Sequence, residues 1–387
     1  MIEWNEQGEV RSARWRSESG APAPRRVELA KDTLSADSAY RFACAGTAML
    51  WRSDFQNARL MLQALQRRIE DKPPKAAARA AAKIAASTPQ EVFHLHRQAQ
   101  SQRARSLGTL VIRVEGDYSI QLRRAPDWKE ALTEAWGPAT GEAQVVSLRE
   151  LLGVVGAHEW RKKGVEIAAL GDAADGTHHR IHPHYGVFSP VRGEYIDLVA
   201  SAPLPAQAQE LAFDIGTGTG VLAAVLARRG VRRIVATENA PRALACAKDN
   251  LQRLGLSKQV ELQDVDLFPA GQAPLVVCNP PWVPARPSSP IEHAVYDEGS
   301  RMLRAFLAGL AAHLAPGGEG WLVLSDLAEH LGLRPREQLL AWMAEGGLKV
   351  VDRHDVRPVH AKATEGGDAL AVARAAEVTS LWRLAAA

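Results

Sequence analysis

Leu211-Ala-Phe-Asp214-Ile-Gly216-Thr217-Gly218-Thr-Gly220-Val-Leu222 decides how the rest of the chain is read. An apolar run ends on an acid, passes three alternating glycines and enters a helical stretch at 222–229. Glycine accepts positive φ and lets a backbone approach a ligand closely. The helix that follows offers unbonded N–H groups to an anion. Dinucleotide sites also use a Gly-rich turn between strand and helix, but their spacing is G-x-G-x-x-G. Here it is G-x-G-x-G.

Working outward, short apolar runs alternate with amphipathic stretches at 211–215, 234–237, 260–262, 275–278, 321–324, 349–351 and 378–382. Seven strands with helices between them predict an α/β fold, a doubly wound seven-stranded Rossmann-like sheet. No internal repeat is apparent. This domain is expected to cover 171–387, preceded by a mainly helical α+β domain at 26–170 and a loose polar tail at 1–25. In the N-terminal part, helical spacing over 36–70 brings together Ala48, Leu50, Trp51, Phe55, Ala58, Leu60, Leu62 and Leu65. The Ala-rich segment 72–83 reads as a semi-flexible linker, or as a helix that aligns Lys75, Arg79 and Lys83. Thr88-Pro-Gln-Glu91 is a capping box that opens a helix to about 105, and Ser147-Leu-Arg-Glu150 is a second box. Alternation at 110–114 and 118–122 around Glu115-Gly-Asp117 predicts a β-hairpin.

With 387 residues, 46% hydrophobic and 24% charged, the chain can bury a core without staples. Net charge is only +3, which argues against wholesale coating of a polyanion. The charge is uneven, however: residues 1–110 carry 18 basic and 11 acidic groups, an excess of +7 that could steer an anionic partner. Cys44, Cys246 and Cys278 lie far apart, which excludes a disulfide framework and a cysteine-based zinc site. The polar start, Met-Ile-Glu-Trp-Asn-Glu, is no secretory signal, and no apolar run is long enough for a bilayer. A cytoplasmic protein with no membrane partner is the expectation.

Asn279-Pro280-Pro281-Trp282 follows directly on the fourth strand. Two prolines fix the backbone and remove two N–H donors. The Asn279 side-chain oxygen and the Pro280 carbonyl can then act as paired acceptors for a planar –NH2 group, with Trp282 stacked on its face. Held so, the nitrogen aims its lone pair at an electrophile, and positioning of that kind is a large rate factor. Glu238, ending the second strand, is placed to accept from ribose hydroxyls. Asp264 and Asp266, at the end of the third, fall where an adenine would lie.

On these motifs the sequence resembles the class I S-adenosylmethionine-dependent methyltransferases with a [DN]PP[YFW] motif. Within them it is most similar to the HemK-type glutamine N5-methyltransferases and their small-domain relatives. Asp214 to Gly220, Asp266-Leu-Phe268, Asn279 to Trp282 and the segment 315–324 match in order and spacing, over roughly 180–387. The resemblance implies a methyltransferase sheet with S-adenosylmethionine as cofactor. It assigns Asp214, Gly216, Thr217, Gly218 and Gly220 to the methionine part, Glu238 to the ribose and Asp266 to the adenine amino group. Asn279, Pro280 and Trp282 would hold the acceptor as the catalytic set. No general base is evident, since a proton can leave to water after transfer.

The sequence departs from the family in three places, one of them an N-terminal half unlike, and larger than, the family's small helical recognition domain. Phe188-Ser-Pro190-Val-Arg-Gly193-Glu194 has Gly-Glu where the family often has Asp-Thr, and Trp282-Val-Pro lacks the Glu-Pro segment of release-factor enzymes. These departures leave the acceptor open: a protein glutamine amide first, an exocyclic adenine or guanine amine of RNA or DNA second. A small-molecule amine, a non-catalytic cofactor-binding scaffold and a nucleotide-dependent dehydrogenase follow. His178, His179, His182 and His184 suggest metal, but no cysteine lies near and the chemistry needs none. His182-Pro-His184-Tyr185 with Phe188 and Arg192 reads instead as a lining of the site entrance. Residues 356–374, with Glu365-Gly-Gly-Asp, read as a surface insertion or a loop over the site.

Overall fold

The computed structural model describes all residues except 72–73, 174–175, 177 and 359–368. It divides within one helix into two units, Met1–Glu159 and Trp160–Ala387.

The first unit begins with β1 (Ile2–Glu6) and β2 (Glu9–Arg16), not with a loose tail. Ile2 and Trp4 alternate with Glu3 and Asn5, so one face of β1 is buried while the other stays polar. Gln7 and Gly8 close the hairpin with φ of 57° and 85°, the pair of positive angles a two-residue turn requires. There follow β3 (Val27–Ala30), α1 (Ala36–Cys44), β4 (Ala48–Trp51), α2 (Phe55–Glu70), α3 (Pro74–Ala85) and α4 (Pro89–Leu107). Then come β5 (Leu110–Val114), α5 (Lys129–Trp136), β6 (Gln144–Ser147) and α6 (Leu148–Lys163). The six strands form one mixed sheet in the order β1-β2-β6-β5-β4-β3.

The helix expected over 36–70 is therefore helix, strand, helix. All four residues of β4 are buried, which a surface helix with one apolar face would not allow. The hairpin expected at 110–122 does not form, because β5 pairs with β4 and β6 instead. Beyond it Tyr118 takes φ of 66°, buries its ring and donates its hydroxyl to the Gly137 carbonyl at 3.1 Å. The Ala-rich segment is the exposed helix α3 in its described part, not a linker. The Thr88 capping box is complete. That at Ser147 is half made, since the Glu150 carboxylate accepts from Ser17, Ser19 and the Glu18 amide.

The second unit opens with a small antiparallel pair, β7 (Val165–Glu166) and β8 (Arg180–Ile181), and then α7 (Glu194–Ser201). Its main sheet is built from β9 (Leu211–Ile215), α8 (Val221–Arg228), β10 (Arg233–Glu238), α9 (Pro241–Arg253), β11 (Val260–Asp264) and β12 (Ala273–Cys278). It continues with α10 (Arg301–His313), β13 (Leu314–Ser325), α11 (Leu327–His330) and α12 (Arg336–Glu345). β14 (Leu348–Val356), α13 (Ala371–Ala376) and β15 (Thr379–Ala386) complete it. The order is β11-β10-β9-β12-β13-β15-β14, parallel from β11 to β13, with β15 antiparallel to both its neighbours. All seven expected strands are present.

Alternation along the strands makes two cores, one on each face. Ala212, Leu275 and Val277 join Tyr195, Leu222 and Leu226 of α7 and α8. Phe213, Ile215, Val276 and Cys278 join Leu303, Phe306 and Leu310 of α10 on the other face. Strand order reverses between β9 and β12. In such sheets ligands bind at the carboxyl ends of the strands beside that switch point. No described helix is long and apolar enough to cross a membrane.

Candidate active site

Asp214 stands in β9 and is almost wholly buried, at 1% exposure. One of its oxygens, Oδ2, accepts from the Thr217 hydroxyl at 2.6 Å and from the Ala223 amide at 3.0 Å, inside the first turn of α8. The acid thus fixes the glycine turn to the helix it precedes. Burial pushes its carboxyl up to about 6, against these two hydrogen bonds, and the nearby charge of Glu238 adds to the rise. Gly216, Gly218 and Gly220 take φ of 70°, 58° and 81°, which side chains resist. A Cβ on Gly216 would also lie 2.6 Å from the Met302 methyl.

Glu238 closes β10 beside this turn. Its Oε2 accepts from the Gly218 amide at 3.2 Å, and its Oε1 accepts from the Asn239 and Ala240 amides at 2.9 and 3.0 Å. A carboxylate has about four lone-pair sites, so acceptor capacity remains for a ligand. Asp266, past the end of β11, accepts from Asn239 at 3.2 Å and from Arg301 at 3.2 Å. The three acids therefore sit on adjacent strand ends, with Asn239 and Arg301 orienting the outermost.

Asn279 follows β12, which lies between β9 and β13 in the sheet. Its side-chain oxygen accepts from the indole N–H of Trp282 at 2.8 Å. The sequence reading kept that oxygen for an incoming –NH2 group alone, whereas here one of its two lone pairs already holds the ring. Trp282 packs against both cores and is locked by them and by Asn279.

One cleft of about 1530 Å³ takes in Asp214, Gly216, Thr217, Gly218, Glu238, Asp266, Asn279 and Trp282. Gly220 and Pro280 do not line it; Pro280 is buried. Asp264 is exposed at its strand end and also stays outside. Phe188 and Arg192 do line the cleft, as expected. The histidines do not. His178 pairs with Asp172 at 2.9 Å, His182 with the Arg161 carbonyl at 2.6 Å and His184 with Asp249 at 2.9 Å, all turned to local structure. The motif Glu365-Gly-Gly-Asp lies outside the described residues.

The sequence reading missed several lining residues. Tyr195, fully buried beside Asp214 and with its phenol pushed up by burial, comes from α7. Tyr296 and Asp297 arrive from the segment between β12 and α10, Arg301 and Met302 from the first turn of α10, and Asp297 accepts from the Met302 amide at 2.8 Å. Glu377 comes from just before β15. None belongs to a spaced motif, and the only local signal was the Pro190-Val-Arg192 run ahead of α7.

Residues 178–336 match the family model described as methyltransferase small domain. Over that stretch the chain is similar to the methyltransferase small-domain family. It is similar to a release factor glutamine methyltransferase of Cereibacter sphaeroides, 34% identical over 27% of this chain and 43% of that protein. It is likewise similar to a ribosomal protein L11 methyltransferase of Sorangium cellulosum, 35% identical over 30% of this chain and 31% of that protein. The chain thus spans less than half the length of either relative. A solved ribosomal protein L11 methylase from Lactobacillus delbrueckii subsp. bulgaricus superposes with a TM-score of 0.36 and 16% identity, covering 55% of this chain and 88% of that one.

S-adenosylmethionine is the cofactor of this assignment, and the residues present fit it. Gly216 and Gly218 line the cleft with bare backbone, and at Gly216 a Cβ would crowd the Met302 methyl. Asp214, Glu238 and Asp266 set carboxylates along the cleft for a ligand that carries cationic groups.

Proposed function

We propose that this chain moves a methyl group from S-adenosylmethionine to a planar amide nitrogen, a protein glutamine side chain above all. The observation that carries this reading is Asn279-Pro-Pro-Trp282 at the end of β12, in the same cleft as the Asp214 turn and Glu238. Gly216, Thr217 and Gly218 would hold the methionine part of the cofactor, Glu238 the ribose and Asp266 the adenine amino group. When bound, the cofactor supplies an electrophilic methyl. The protein does the rest by placement. Asn279 offers its second lone pair to one hydrogen of the acceptor –NH2, and the Pro280 carbonyl is the partner proposed for the other. Trp282, its ring pinned by Asn279, covers the planar face and excludes water. A nitrogen fixed by two acceptors presents its lone pair in one direction, which is the entropic part of the barrier. The proton leaves to water after transfer.

A second reading has an observation of its own. Lys75, Arg79 and Lys83 are exposed along α3, and such a row suits a nucleic acid whose exocyclic amine would be the acceptor. One experiment separates the two: transfer of labelled methyl into lysate of cells lacking this protein, followed by protease or nuclease. The amide reading expects label lost to protease alone, and Asn279→Ala is expected to lower transfer by more than about a hundredfold with cofactor affinity kept. Label lost to nuclease would establish the second reading. Transfer that survives Asn279→Ala would remove the acceptor assignment.

A further inference from the structure

The sheet arranges the acids and amide of the cleft in strand order. Asp266 lies past the end of β11, Glu238 and Asp214 stand in β10 and β9, and Asn279 directly follows β12. Past Asn279, away from the cofactor side, come the ends of β13 and β15. Because β15 runs antiparallel, its beginning lies at the edge where the parallel strands finish, and Ser325 pairs in register with Thr379. Glu377, two residues earlier, is carried into the cleft by this reversal.

The Glu377 side chain is completely buried. Its Oε1 accepts from the Ser325 hydroxyl at 2.7 Å and from the Arg192 guanidinium at 3.2 Å. The same corner is tied by the Asp326 amide to the Val378 carbonyl at 3.0 Å and by the Val378 amide to the Asp326 carboxylate at 2.7 Å. Its other oxygen, Oε2, is buried and has no partner among the described residues. A buried carboxylate oxygen left without a donor is costly, and such a group calls for an explanation. The ties that fix this corner use Oε1 and leave Oε2 unused. Arg192 also lines the cleft, so a carboxylate acceptor and guanidinium donors stand side by side. That juxtaposition is the complement of an amide, whose N–H donates and whose C=O accepts.

We infer that Glu377, held by Ser325 and Arg192, is an acceptor-binding residue that takes an N–H of the amide-bearing acceptor through Oε2, with Arg192 facing the carbonyl. This rests on the proposed amide reading and sharpens it, since Asn279 holds the nitrogen that reacts and Glu377 selects what carries it.

Glu377→Gln tests the polarity of this subsite. Arg192 and Ser325 both donate to Oε1, so the glutamine oxygen must stay there and its –NH2 replaces Oε2, turning an acceptor into a donor. The assay follows the initial rate of label transfer from S-adenosylmethionine into protease-sensitive material as the amount of lysate protein is varied, with cofactor affinity measured by calorimetry. The expected result is an apparent acceptor KM raised about tenfold to a hundredfold, with kcat and cofactor affinity held within about twofold. An unchanged KM, with Asn279→Ala inactive in the same assay, would overturn the subsite and leave the methyltransferase reading standing. A matching loss of cofactor affinity would overturn it by giving Glu377 to the cofactor. No label from the unaltered chain, or label lost only to nuclease, would remove the amide reading and the subsite with it. Should Glu377→Gln fail to fold, Ser325→Ala loosens the hold on Oε1 without touching Oε2. A severalfold rise in KM is then expected, and an unchanged KM would count against the subsite.

Discussion

Each unit places one aspartate, 1% exposed, at the carboxyl end of a strand, and the two are treated in opposite ways. In the first unit Asp54 follows β4. Arg124 bonds both of its oxygens at 2.6 and 2.7 Å, Arg123 reaches Oδ2 at 2.9 Å, and the Gln56 amide at 2.9 Å completes the cap of α2. The Arg124 hydrogen bonds hold its carboxyl far below the usual carboxylate range in spite of burial, and the corner is closed. In the second unit Asp214 has a hydroxyl and one amide but no ion pair with a cation among the described residues, and burial raises its carboxyl instead. A strand end whose charge is answered from within makes a sealed corner. One whose charge is left unanswered, floored by glycine, lines the cleft proposed to hold the cofactor.

The largest effect that could break this contrast is Asp214→Asn. Both donors reach one oxygen, so asparagine keeps those bonds and loses only the charge. Cofactor affinity is expected to fall about tenfold to a hundredfold, read by calorimetry, while the fold is kept. Gly216→Ala comes next. The Met302 methyl can move aside, but alanine at φ of 70° stays strained by roughly 1–2 kcal/mol. About a tenfold loss of cofactor affinity is expected, with no change in the first unit. Asp54→Ala should do the reverse, lowering the melting temperature by several degrees through the lost cap and the unpaired arginines, with cofactor affinity untouched.

The smallest effect is in pH. A carboxyl raised from 3.8 to about 6 in the folded chain binds its proton more tightly there than when unfolded. Its contribution to stability is full at low pH and is lost as pH rises through about 6. The melting temperature of the unaltered chain relative to Asp214→Asn should therefore decline between about pH 4 and 6 and be level above. A difference that is flat across that range would mean Asp214 is not buried as a lone charge.

How much of this was legible in the sequence varies with the range of the forces involved. The glycine turn and Asn279 to Trp282 were readable because their chemistry is local, fixed by φ and by the missing proline N–H groups. The seven strands were readable because their apolar runs alternate with helices. β1 was not, since two buried side chains among polar neighbours resemble a tail until β2 folds over them. β4 was not, because four buried residues between two helices continue a helical pattern. Asn239 is a plain loop residue until Asp266 and Glu238 come beside it. Glu377 depends on the reversed direction of β15, which no residue near it announces. His182 and His184 resemble a lining because they cluster in sequence with Tyr185 and Phe188, but each bonds to a separate partner.

The measurement closest to the central claim is a calorimetric titration of S-adenosylmethionine, and separately of NAD, into the unaltered chain and into Glu238→Ala. The account predicts saturable binding of S-adenosylmethionine that weakens about tenfold or more in the variant, and no binding of NAD. Binding of NAD, or equal affinity of both chains for S-adenosylmethionine, would contradict it.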